Sequence, residues 1–180
     1  MAEREFYSGK VLYPSIVALL ALSLFLGITI LPRFFVKNAL IGQEAPDFSL
    51  AVVTNDAQGD RIHLRDLKGH PVVLDFWATW CEPCQIVAPI LDRVSRKNRE
   101  RGLVVVGVNT SDRPGLAPIF AKRKGLSYPI VYDSDDEVAR RYGVNNLPTL
   151  VVINAAGNVV AVQTGIEDES SLEDLINQAL

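Results

Sequence analysis

Three kinds of apolar run alternate along the chain, and each predicts a different element. The first occurs once and is long: Ile16 to Leu31 carries no charge, and Tyr13 and Pro14 extend it. The second kind is short and continuous. Val72 to Trp77 is apolar except for Asp75, and Leu103 to Val108 is apolar throughout, as expected of strands buried on both faces. Phe48 to Val53 and Ile62 to Leu64 predict shorter strands around a turn at Asn55–Asp60, and Tyr128 to Tyr132 a further one. Leu150 to Ile153 and Val159 to Val162 flank Asn154-Ala155-Ala156-Gly157-Asn158, the pattern of a hairpin.

The third kind of run has helical spacing. Ile86, Val87, Ile90, Leu91 and Val94 fall on one helical face, which ends in Lys97, Arg99, Glu100 and Arg101 with Gly102 as the stop. Leu116 to Lys124 predicts a second helix ended by Gly125. Asp133 to Tyr142 predicts a third, with acids at its positive end and Gly143 closing it. The last helix opens at Ser170, where Glu173 completes a capping box. From Val72 onward the order is β-α-β-α-β-α-β-β-α, which is an α/β domain with a mixed sheet.

The long first run has three readings. A buried core helix would be apolar on one stripe only, and this one is apolar on every side. A cleaved signal peptide would be followed by an Ala-x-Ala site, for which Lys37-Asn38-Ala39 is a poor substitute. A retained signal-anchor fits best: a run of about 18 uncharged residues just spans a bilayer, with Arg33 and Lys37 reaching out at its far end. We therefore divide the chain into a transmembrane segment, residues 1–37, and a folded domain, residues 38–180. Lys and Arg do not set the orientation, because Arg4 and Lys10 before the segment balance Arg33 and Lys37 after it.

Composition narrows the function of the domain. Residues 38–180 hold 14 Lys/Arg against 19 Asp/Glu with no basic stripe, so nucleic acid is not expected as a partner. The chain has two cysteines, separated by two residues. A pair this close shuts almost no loop, so it is not a structural framework; it is catalytic, metal-binding or incidental. Zinc needs four ligands, and only His63 and His70 could join the cysteines; both read more simply as surface or turn residues, and no metal is expected. Asp133-Ser134-Asp135-Asp136-Glu137 lacks the glycine and distal Glu of a calcium loop and reads as helix capping.

The placement of the pair gives it meaning. Trp80-Cys81-Glu82-Pro83-Cys84 sits where a buried strand hands over to a helix. Cys81 would then stand at the helix N-terminus, where unpaired N–H groups and the macrodipole favour a thiolate. Cys84 lies one turn inward, close enough to attack a mixed disulfide at Cys81. Pro83, in the first turn, costs no hydrogen bond.

Asp75-Phe76-Trp77-Ala78-Thr79-Trp80-Cys81-Glu82-Pro83-Cys84, continued by Ala88-Pro89-Ile90-Leu91-Asp92, resembles the active-site segment of thioredoxins. Asn146-Leu147-Pro148-Thr149-Leu150 resembles their second signature, in which a cis-proline faces the cysteines. The resemblance covers residues 42–180. Ala45-Pro46-Asp47-Phe48, Asp66-Leu67-Lys68-Gly69 and the 38 residues between Asn109 and Pro148 are similar to the membrane-tethered TlpA/ResA-type branch. It implies a thioredoxin fold with N-terminal strands and an inserted helix–strand, preceded by one transmembrane helix. Asp75 is the residue cytosolic thioredoxins carry here; many tethered relatives have a neutral one.

The resemblance implies roles. Cys81 is the nucleophile and Cys84 resolves the mixed disulfide. Asp75, in a strand buried on both faces, is expected to have a raised pKa and to relay a proton to Cys84. Trp80 is expected to shield the sulfurs and offer a flat client surface, Trp77 to be core, and Pro89 to kink the helix. Leu147 and cis-Pro148 are expected to pair with a client strand. Glu82 adds a negative charge beside the thiolate and biases the pair toward donating electrons. The implied activity is reduction of disulfides in extracytoplasmic (periplasmic) client proteins, apocytochrome c among them, fed by a membrane electron donor of CcdA/DsbD type. No cofactor is implied. An oxidase or isomerase would use the same cysteines. A peroxidase would need Thr at Ala78, and a Sco-type copper chaperone a wider Cys spacing and a His beyond His70.

Overall fold

The computed structural model describes residues 16–24, 39–54, 60–165 and 168–180. The chain divides into two units, Met1–Ala39 and Leu40–Leu180. In the first, residues 16–24 are helical, and Ile16, Val17, Leu19, Leu20, Leu22 and Leu24 are exposed. No helix among the described residues is long and apolar enough to cross a membrane. The remainder of the expected span lies outside the described residues, as do Asn55 to Gln58 and Gly59 of the expected turn.

The second unit is built on a five-stranded sheet in the order β5-β4-β3-β6-β7. These strands are β3 (Val72–Trp77), β4 (Val104–Thr110), β5 (Ile130–Asp133), β6 (Thr149–Ile153) and β7 (Val159–Thr164). β3, β4 and β5 are parallel, because helices α1 (Glu82–Lys97) and α2 (Leu116–Lys124) form the crossovers between them. β6 runs antiparallel to both β3 and β7, and the β6–β7 hairpin closes at Asn154, whose Oδ1 accepts from the Ala156 and Asn158 N–H groups. β1 (Ser49–Ala51) and β2 (Arg61–His63) pair in a separate antiparallel ribbon. The mixed sheet, the N-terminal strands and the inserted helix–strand therefore stand as expected, on a thioredoxin-like fold.

Alternation along β3 splits the core in two. Val72, Leu74 and Phe76 face one layer, with Phe48, Val52, Val138 and Tyr142. Val73 and Trp77 face the other, with Leu91 and Val94 of α1, Phe120 of α2, and Leu172 and Ile176 of α4 (Glu169–Asn177). Asp75 shares the alternation of Val73 and Trp77, and this is the layer that also holds Cys81 and Cys84. Trp77 is core, as expected.

Three local expectations are corrected. The helix read over Asp133–Tyr142 is only α3 (Glu137–Arg141): Asp133 ends β5, and its carboxylate accepts from the Val138 and Ala139 N–H groups. Asp133, with Asp135 on the Glu137 N–H, thus caps the helix from outside it, while the Asp136 carboxylate goes to Thr110 and Ser111 and Glu137 is the first helical residue. The last helix is capped by Asp168, which accepts from the Ser171 N–H at 2.8 Å, not by Ser170; a carboxylate two residues earlier reaches the free N–H groups first. Ile86, read as part of the buried face of α1, is half exposed at 50%, because the buried stripe runs through Cys84, Val87, Ala88, Leu91 and Val94.

Candidate active site

β3 ends at Trp77, and the chain turns through Ala78, Thr79 and Trp80 before α1 begins. Cys81 is the residue that caps α1, in extended conformation, with its Sγ accepting from the Cys84 N–H at 3.2 Å. Glu82 opens the helix and is exposed; Pro83 follows it, where a missing N–H is harmless. Cys81 and Cys84 are joined in a disulfide, with an S–S distance of 2.05 Å, and both are buried. α1 continues without interruption through Pro89 to Lys97, where basic residues meet the negative helix end.

The turn before Cys81 is held from outside by the loop after β4. The Asp112 carboxylate accepts from the Thr79 N–H at 2.6 Å and the Thr79 hydroxyl at 2.9 Å, and the Asn109 amide also donates to it at 3.0 Å. These donors pull the Asp112 pKa below its ordinary value against the opposing effect of burial, the largest single influence on it. The Trp80 indole N–H donates to the Ser111 carbonyl at 2.8 Å. Trp80 as a whole is 64% exposed. Ser111 in turn is held by Asp136, whose Oδ1 accepts from the Ser111 N–H and the Thr110 hydroxyl, both at 2.6 Å.

Asp75 lies on β3, two residues before Trp77, and is 1% exposed. Burial pushes its pKa up to about 7, while a hydrogen bond from the Tyr128 hydroxyl at 3.3 Å draws it down. Asp75 Oδ1 has no hydrogen-bond partner among the described residues. Phe76 faces Thr149 across the β3–β6 ladder, so Leu147 and Pro148 stand at the same end of the sheet as the turn into Cys81. The Leu147–Pro148 peptide is cis. Leu147 is half-buried and packs against the layer containing both cysteines, and Pro148 is buried.

The structure thus gathers the cysteines, Asp75, Trp80, Glu82, Pro83, Leu147 and Pro148 at one end of the sheet and its covering helix. The histidines are elsewhere. His63 lies 3.5 Å from the Ser49 hydroxyl, and His70 lines a cavity of about 130 Å³ at the start of β3, the end away from the cysteines. Among the described residues, no three His, Cys, Asp or Glu side chains converge as a metal site. Tyr128 and Asp112 were not singled out by the sequence, and Asp136 was read only as part of a helix cap, whereas its carboxylate holds Thr110 and Ser111. Tyr128 is 53 residues from Asp75, Asp112 is 33 from Thr79, and Asp136 is 25 from Ser111, and no local pattern relates such pairs.

A dithiol spanning one turn at a helix N-terminus can open and close with little movement of the backbone that carries it. That is the requirement of thiol–disulfide exchange, and the fold and site together define a thiol–disulfide oxidoreductase of the thioredoxin-like class. The profile of the AhpC/TSA family matches residues 41–162. The chain is 39% identical over 161 residues to the thiol-disulfide oxidoreductase ResA of Bacillus subtilis (strain 168), covering 88% of each protein. Against the ResA of Halalkalibacterium halodurans the identity is 35%, over 88% of this chain and 89% of that one. A Chlorobium tepidum structure assigned as a thiol:disulfide interchange protein of DsbE type superposes with a TM-score of 0.71 at 32% identity, covering 77% of this chain and 96% of the other. The chain belongs to the AhpC/TSA family, within its ResA-type thiol–disulfide oxidoreductases.

Proposed function

We propose that this protein is a membrane-anchored reductase of disulfides in extracytoplasmic proteins, held by residues 1–37 with residues 38–180 on the outer side. In this reading the Cys81 thiolate attacks one sulfur of a client disulfide. The Cys81–client disulfide forms as the client S–S bond breaks, and the other client sulfur leaves as a thiolate. Cys84, losing its proton to the Asp75 carboxylate, then attacks Cys81 Sγ; the Cys81–Cys84 disulfide forms and the second client thiolate is released. Two electrons have passed to the client, and a dithiol donor in the membrane, of CcdA/DsbD type, returns them. Apocytochrome c, whose cysteines must be reduced before haem attachment, is the client class we favour. Trp80, exposed beside Cys81, and Leu147, next to cis-Pro148, supply the surface for the client segment.

The observation that supports the reducing direction is the charge at the helix start. The helix N-terminus favours the Cys81 thiolate, but Glu82, the next residue, adds a like charge, and no Lys, Arg or His lies between the cysteines. A less stabilised thiolate means a less oxidising pair. The wild-type reduction potential is expected nearer to about −270 mV, as in thioredoxin, than to about −120 mV, as in DsbA, and Glu82→His should raise it. Equilibration of the full chain with glutathione measures both. A wild-type value at the DsbA end would assign the protein to disulfide formation instead. Client identity follows from Cys84→Ser, which should accumulate mixed disulfides at Cys81.

A further inference from the structure

The Asp75 carboxyl is held on one oxygen, and the residue that holds it comes from the inserted helix–strand. Tyr128 lies between α2 and β5, 3% exposed, with its hydroxyl on Asp75 Oδ2. Three separate contacts set the position of its ring. The Asp92 carboxylate of α1 accepts from the preceding Ser127, from its N–H at 2.6 Å and its hydroxyl at 2.7 Å, and Arg96 pairs with the other Asp92 oxygen. The following Pro129 carbonyl accepts from the Gly107 N–H at 2.9 Å. Gly107 is the residue of β4 opposite Asp75, and a Cβ there would come within 3.1 Å of the Tyr128 ring, the Trp77 indole nitrogen and Ile130. A side chain at that position would push the ring off the strand.

We propose that Tyr128 is the positioning residue of the Asp75 proton relay: the active-site helix and Gly107 fix its ring so that the phenol orients the carboxyl and favours its anion. The chemistry is directional. The phenol is kept protonated, since burial and then the Asp75 charge raise its pKa well above the ordinary value, so it is a donor. A donor strengthens its bond when the carboxyl ionises, which favours the charged form. Other charges near this face are few. α1 presents the cysteines and Asp92, whose charge acts against ionisation of its neighbours and is paired with Arg96. α2 and α4 present Ala117, Phe120, Leu172 and Ile176, and the flanking strands Gly107 and Leu150, all uncharged.

The effect of Tyr128 on turnover rests on the reading of Asp75 as the relay; the contact itself does not. The test uses the oxidised full chain in detergent, where the disulfide does not titrate, and follows the Asp75 carboxyl carbon by NMR, assigned by its loss in Asp75→Asn. Tyr128→Phe should raise the titration midpoint by about one pH unit, the equivalent of one hydrogen bond to a charged acceptor. Fluorotyrosine at position 128, a stronger donor of nearly the same shape, should lower it. Midpoints that move in neither variant would overturn the proposal. The pH profile of disulfide reduction by the reduced protein, measured in parallel, judges the relay separately. A profile that follows the midpoint in Tyr128→Phe and flattens in Asp75→Asn supports it. An unaltered profile in Asp75→Asn removes the relay while the titration still decides the contact.

Discussion

Asp75 is a carboxyl inside a strand whose other side chains are apolar, and its cost to the fold depends on pH. In the unfolded chain it ionises near 3.8, and in the folded one near 7. Between those values folding takes up a proton, so stability falls as pH rises from about 4 to about 7 and stays lowered above. Three units correspond to about 4 kcal/mol as an upper figure. Asp75→Asn keeps the shape and the Tyr128 contact without the charge. The oxidised variant should exceed wild type in stability by about 2–4 kcal/mol at pH 8 and converge with it near pH 4, by denaturant unfolding. Its turnover near neutral pH should fall. Equal stabilities at pH 8 would show that ionisation there is not opposed by burial. Asp75 was legible in the sequence because a charge in an apolar run is conspicuous. Tyr128 was not, because a tyrosine in a short apolar run looks like any other strand residue.

At the scale of elements, the active site is a junction between β3 and α1 whose geometry depends on a third element. The turn Ala78–Trp80 makes its polar contacts outward to Ser111 and Asp112, and the loop that carries them is bent at Ser111, with φ +50°, onto Asp136, with φ +57°. Non-glycine residues take such angles where surrounding bonds hold them there. Asp112→Ala would strip acceptors from Thr79 and Asn109 at once. It should destabilise the fold by about 2 kcal/mol and slow attack on disulfides by displacing Cys81. Asp112→Asn, which keeps one carbonyl oxygen for the Thr79 N–H, should recover part of both. Thermal unfolding and single-turnover kinetics check this; full activity in Asp112→Ala would mean that the turn holds its shape alone. α1 itself was readable, from Cys81 at its cap to Gly102 beyond its end, since its apolar spacing and punctuation are local. The cap of α4 was misplaced because Ser170 and Asp168 are both capping residues, and only the backbone path decides which one reaches the free N–H groups.

At the scale of the whole molecule, the proposed function assigns residues 1–37 to the membrane and residues 38–180 to catalysis. The exposed leucines, isoleucine and valine of residues 16–24 support an anchor in lipid, and a reductase outside the cytoplasm gains from a tether that keeps it beside a membrane electron source. The mature protein should retain residues 1–37 and sediment with membranes, released by detergent but not by high salt. A soluble form beginning near Leu40 in cell fractions would show that the segment is removed.

The sequence by itself determined the strand and helix order, the mixed sheet, the paired cysteines at a helix start and the proline before β6. All of these depend on short-range rules: side-chain period, capping, turn residues and a two-residue spacing. The tertiary structure alone decided which groups surround that chemistry. It laid β4 beside β3 so that Gly107 faces Asp75, brought Tyr128 over that gap from the inserted segment, and closed the loop at Asp112 onto Thr79. Those contacts join residues 32 to 53 positions apart, and their partners are chosen by how the layers pack.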